Sequence, residues 1–151
     1  MKYINEVIIN APLATVVDLF KDPANMKEWQ PELINVTPIM GTPGTVGAKS
    51  KIVSRLGNGK IEMIETIKVA NLPDAYDVVY EAPGVINTMK SKFVAVGSNE
   101  TQWLTDNEFV FTSIVMKLMG FFAGGMFKKQ TQTTLDLFKT YAETVVAEKN
   151  A

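Results

Sequence analysis

Two different periods govern the apolar positions of this chain. Between Leu33 and Phe111 apolar and polar residues tend to alternate, as on a half-buried strand. From about Ile114 to Ala147 they recur at spacings of three and four, as on one face of a helix. Clusters of turn residues divide the first stretch: Gly41-Thr-Pro-Gly44, Gly57-Asn-Gly59, Asn71-Leu-Pro73, Pro83-Gly84 and Gly97-Ser-Asn99. Six strands are predicted between them, over Leu33–Met40, Ala48–Leu56, Lys60–Val69, Tyr76–Ala82, Val85–Val96 and Gln102–Phe111, forming an antiparallel meander.

A further strand is predicted over Tyr3–Asn10. It stops at Ala11-Pro12, because the fixed φ of proline suits the first turn of a helix. From Leu13 the positions Val16, Val17, Leu19 and Phe20 keep helical spacing until Asp22-Pro23, where the residue before proline avoids the α region. A second short helix is predicted over Ala24–Trp29. At the far end Phe127, Thr131, Leu135, Phe138, Ala142 and Val145 share one face of a long amphipathic helix. Its first part holds Gly120, Gly124 and Gly125, and a glycine costs roughly 1 kcal/mol against alanine in a helix interior, so a kinked or loosely formed stretch is expected there. The pattern predicts an α+β fold. A seven-stranded curved antiparallel sheet surrounds a long C-terminal helix, with two short helices after strand 1, in a single domain over residues 1–151.

Lysines mark the outer face of a strand because they seldom bury fully. Lys90 and Lys92 then leave Val85, Asn87, Met89, Ser91, Phe93 and Ala95 pointing inward. Lys60, Glu62 and Lys68 place Ile61, Met63, Ile67 and Val69 inside together with Glu65. Tyr76, Val78 and Tyr80 face in from the next strand, and Trp103, Thr105, Asn107, Phe109 and Phe111 from the last. This inner face is aromatic and rich in methionine with a few polar atoms, the make-up of a small-molecule pocket. Plain packing of a sheet on a helix would also account for the stripe Met63, Met89, Trp103, Phe109, Met116, Met119 and Phe122.

Composition narrows the chemistry. The chain has neither histidine nor cysteine, which excludes Ser-His-Asp triads, Cys-His pairs, Cys/His zinc sites and histidine general bases. Catalysis, if any, must rest on carboxylates, Tyr, Lys, Arg or a guest cofactor, and no cofactor or metal is called for. Fifteen Lys and Arg against sixteen Asp and Glu leave no basic excess, so nucleic acid is not an expected partner. No apolar run approaches the ~20 residues of a membrane span, and the first residues lack the succession of a secretory signal, so a cytoplasmic monomer or homodimer is expected.

Glu65 is the carboxylate of interest, because an apolar face disfavours its charged form and makes it a candidate acid or base. Alternatively it pairs with a nearby base or reaches solvent. Tyr76 and Tyr80 are candidate donors to a carbonyl, and Asn87, Thr105 and Asn107 are able to orient a ligand oxygen. The candidate ligand-binding set is Met63, Glu65, Tyr80, Asn87, Met89, Phe93, Trp103, Thr105, Phe109, Met119 and Phe122, with Glu65 and Tyr80 as the catalytic candidates. Arg55, the only arginine, is expected at a rim or in solvent, and Trp29 over one end of the core. Gly120-Phe-Phe-Ala-Gly-Gly125 reads either as a lid or as a close helix-to-sheet approach, and Lys128 and Lys129 read as a solvated helix face rather than a lipid-headgroup site.

Ile9-Asn-Ala-Pro12 leading into Val16-Val-Asp-Leu-Phe20, then Met26-Lys-Glu-Trp29-Gln-Pro31, Pro43-Gly44 with Gly47, Glu65, Thr101, Phe109 and Phe127 through Tyr141 together resemble the START-like superfamily. That superfamily includes birch-pollen allergen relatives and the polyketide cyclase/dehydrase and lipid-transport proteins. The resemblance covers almost the whole chain and implies a helix-grip fold whose cavity takes sterols, lipids, polyketides or plant hormones in different members. It implies no particular ligand and carries over no catalytic residue. The expected function is binding or transport of a hydrophobic small molecule. The alternatives are a polyketide cyclase/dehydratase using Glu65 and Tyr80, and a cochaperone-like interaction module with a filled core.

Overall fold

The computed structural model describes residues 1–151. In chain order the elements are β1 (Lys2–Ile9), α1 (Leu13–Lys21), a 3₁₀ turn (Pro23–Asn25), α2 (Met26–Trp29), β2 (Leu33–Met40), β3 (Lys49–Leu56), β4 (Gly59–Asn71), β5 (Ala75–Ala82), β6 (Val85–Gly97), β7 (Glu100–Phe111) and α3 (Ile114–Lys149). One seven-stranded antiparallel sheet runs in the order β1-β7-β6-β5-β4-β3-β2. The two short helices therefore carry the chain from one edge strand to the other. They begin at Pro12, whose φ of −62° is already helical while its extended ψ keeps it outside α1. They turn at Asp22, whose carboxylate accepts from the Ala24 N–H at 3.0 Å.

Alternation on β1 is complete: Tyr3, Asn5, Val7 and Ile9 are buried, and every second residue is exposed. Against this strand lies α3, which buries Leu135, Phe138 and Ala142 completely. Polar side chains fix the helix along β1. The Tyr3 hydroxyl lies 2.8 Å from that of Thr131, Asn5 donates to Gln132 at 2.8 Å, and Lys139 donates to the Ile8 carbonyl at 2.8 Å.

Two expectations are corrected. α3 is one unbroken 36-residue helix through its glycines. A Cβ on Gly120 would fall 2.4 Å from the Phe111 ring, and one on Gly84, whose φ is +80°, would fall 2.7 Å from Met116. The missing side chain at 120 thus admits the sheet rather than bending the helix. Val69 does not face inward with Ile67. A bulge between them adds one residue and reverses the alternation, so Val69 pairs with outward Asp77 while Ala70 pairs with inward Tyr76. No helix is long and apolar enough to cross a membrane.

Candidate ligand cavity

The concave face of the sheet, the two short helices and Thr134 of α3 border a cavity of about 950 Å³ that is partly open to solvent. Strand register arranges the inward side chains of the sheet in rows about 7 Å apart, the rise of two strand residues. One row is polar: Ser50, Glu65, Tyr80 and Asn87 stand opposite one another across β3, β4, β5 and β6. The next is apolar, with Ile67, Val78 and Met89 in line. Tyr76 and Ser91 follow, and then Phe93 opposite Trp103.

That last row is closed by the helices. Phe20 comes down from α1 so that its ring centroid lies 4.9 Å from Phe93, 5.4 Å from Trp103, 5.6 Å from Tyr76 and 6.0 Å from Phe138, all edge-on. It also stacks on Trp29 at 6.0 Å. Edge contacts between rings add to the apolar area they bury, so this end of the cavity is an aromatic wall. The indole N–H groups of Trp29 and Trp103 are buried there with no hydrogen-bond partner, although both residues line the cavity.

Of the residues expected from the sequence, Glu65, Tyr80, Met89 and Trp103 line this space. Phe93 lies behind Phe20 in the core and Thr105 is fully buried under Asn107, whose amide donates to it at 3.4 Å. Asn87 donates to Asn107 at 3.3 Å, extending the polar row away from the cavity. Met63 is half-buried beyond Glu65, and Phe109 stacks on Tyr3 at 5.8 Å under the first half of α3. None of these five lines the cavity, and neither do Met119 and Phe122, which are 48% and 80% exposed on α3. Arg55 is held by Glu32 at 3.2 Å and by the Pro31 carbonyl, away from the site.

Phe20, Leu33, Ser50 and Thr134 line the cavity without having been expected to. Their periodicity showed which residues share a helix or strand face. Which helix face would cover which part of the sheet is set by the long crossing from β1 to β2, and has no local signal.

Burial raises the Glu65 carboxyl above its ordinary range, an effect that the hydroxyl of its cross-strand neighbour Tyr80 partly offsets. Burial also raises Tyr80, with the nearby Glu65 charge adding to the effect, and pushes Tyr76 up to about 12 for the same two reasons. Glu65 takes part in none of the ion pairs of the protein. The wall therefore offers a carboxyl and two neutral phenols to a guest. No group of three or more Asp or Glu is placed to hold a metal ion.

The sequence matches, over residues 2–143, the family described as polyketide cyclase / dehydrase and lipid transport. No curated protein is matched. Among solved structures, the Zhui aromatase/cyclase from Streptomyces sp. R1128 superimposes with a TM-score of 0.80 at 12% identity, over 97% of this chain and 95% of that one. TTHA0849 from Thermus thermophilus gives 0.73 at 16% identity, over the whole of both chains. Ara h 8.0201 gives 0.71 at 11% identity, over 95% of this chain and 98% of that one. At these identities the likeness is one of fold.

Proposed function

This chain belongs to the polyketide cyclase/dehydrase and lipid transport family, and on that premise we propose that it binds a hydrophobic or amphipathic small molecule inside the sheet. The observation that carries this reading is the cavity of about 950 Å³, with an aromatic wall at one end and the Glu65–Tyr80 pair at the other. Ligand pockets run to roughly 300–1,000 Å³ and combine apolar lining with a few placed polar groups. A guest of this kind lies with its apolar body toward Phe20, Trp29 and Trp103 and its hydrogen-bonding end toward Glu65 and Tyr80. The cavity argues against the interaction module with a filled core.

Native mass spectrometry of the purified protein, followed by organic extraction, tests the proposal. Retained lipid or polyketide-like mass, displaced when Ser50→Phe fills the wall, is the expected result. If the protein carries nothing and retains none of a lipid and polyketide-like mixture added to it, the binding reading falls.

A second reading is a cyclase/dehydratase, supported by the raised Glu65 carboxyl standing opposite Tyr80 in the cavity wall. There the carboxylate would take a proton from the carbon beside a ketone and the Tyr80 hydroxyl would polarise that carbonyl. Turnover of a poly-β-ketone thioester that disappears in Glu65→Gln would select this reading over simple carriage.

A further inference from the structure

The first half of α3 carries apolar side chains on both of its faces, unlike an ordinary helix packed on a sheet. Met116, Gly120, Ala123 and Phe127 face the sheet and are partly buried, Gly120 against Phe111 and Phe127 with its ring 5.0 Å from Phe109. The opposite face should then be polar. Instead Ile114 is 78% exposed, Phe121 83%, Phe122 80% and Met126 71%, with Val115 and Leu118 also exposed between them. The two phenylalanines alone present roughly 300 Å² of ring surface, about what the whole largest patch of an ordinary monomer presents.

Charge limits what this surface fits. Between Glu108 and Asp136 the chain has no acidic residue, while Lys117, Lys128 and Lys129 are all exposed and form no ion pair within the protein. Lys117 lies within the apolar stretch and the other two at its end, so the segment from 109 to 135 has a net charge of +3. A two-fold dimer through this face would bring the lysines of both copies into one interface with no acidic residue of the segment to offset them, since such an interface uses the same patch on both partners. An anionic surface with a fluid apolar interior suits both features at once. Phe121 and Phe122 enter the acyl boundary and the lysines remain at the headgroups.

We propose that the N-terminal half of α3 is a docking surface for an anionic lipid bilayer. The helix lies in the interface without spanning it, as no helix here is apolar over a spanning length. Docking of this kind is independent of what the cavity holds, because none of the residues involved lines it.

Sedimentation with vesicles of phosphatidylcholine containing about a quarter phosphatidylglycerol tests the proposal on the full chain. The wild type is expected to co-sediment with these vesicles, more weakly with pure phosphatidylcholine, and less as salt is raised. The pair Phe121→Ser and Phe122→Ser should weaken binding at least about tenfold while leaving thermal unfolding unchanged, because both rings are exposed. Lys117→Glu, Lys128→Glu and Lys129→Glu together should abolish the preference for the anionic lipid. The proposal is overturned if the wild type ignores both vesicles, or if both variant sets bind like wild type. It is also overturned if the protein ignores vesicles and is a dimer that the two serine substitutions dissociate, in which case a second copy covers this face.

Discussion

Gly120 lies so close to Phe111 that a Cβ at position 120 would be 2.4 Å from the ring, closer than any unstrained contact allows. The start of α3 is thus seated on the end of β7 through a missing side chain. Gly120→Ala should cost about 1–3 kcal/mol despite alanine's better helix propensity. Gly125, with nothing within 4 Å of the equivalent position, is the control. Gly125→Ala should leave stability unchanged or raise it by up to about 1 kcal/mol. Thermal unfolding should therefore fall for Gly120→Ala and not for Gly125→Ala, and a rise for both would mean that α3 is not seated on Phe111.

The buried Thr101 hydroxyl donates to the Ala11 carbonyl at 2.8 Å, holding the chain where it leaves β1 for α1. Thr101→Val keeps the shape and leaves that carbonyl without its partner. The expected loss is about 1–3 kcal/mol by urea unfolding, and Thr101→Ser should recover most of it. No loss in Thr101→Val would show that the hydrogen bond contributes nothing to stability.

Phe20 touches five aromatic rings at once and separates the core from the cavity. Phe20→Ala should cost about 3–5 kcal/mol and enlarge the cavity into the core. A loss well under that range in chemical unfolding would show that the surrounding rings collapse into the space.

Glu65 sets the sign of a pH effect. Its folded pKa lies above the ordinary value of 4.5, so the folded chain holds this proton to higher pH than the unfolded chain does. The contribution is therefore most favourable at and below pH 4.5 and is lost as pH rises through the folded value. Glu65→Gln should raise the melting temperature at pH 7 and flatten its fall over the window just above pH 4.5. A variant less stable than wild type at about pH 7 but equal to it at about pH 4 would contradict this sign.

Much of the fold was legible in the residues. The turn clusters sit between the six later strands, Ala11-Pro12 separates β1 from α1, and Leu135, Phe138 and Ala142 form the buried stripe of α3 as their spacing predicts. Inward positions such as Tyr76, Tyr80, Met89 and Trp103 followed from alternation alone. Alternation failed at Val69, because a bulge inserts one residue without changing composition. The candidate site was legible only in part. Thr105 and Phe109 face inward as their pattern requires, yet the ladder places them where other side chains fill the space.

What the sequence determined by itself is the order of elements and the side of each strand that is buried, since both follow from local periodicity and turn chemistry. Only the tertiary structure decided which inward residues border empty volume. That depends on where α1, α2 and α3 cross the sheet, and so on contacts between residues as distant as Phe20 and Phe138. It also decided that the apolar face of Phe121 and Phe122 turns outward. Helical spacing groups residues on a face, but only the seating of Gly120 on Phe111 says which way that face points.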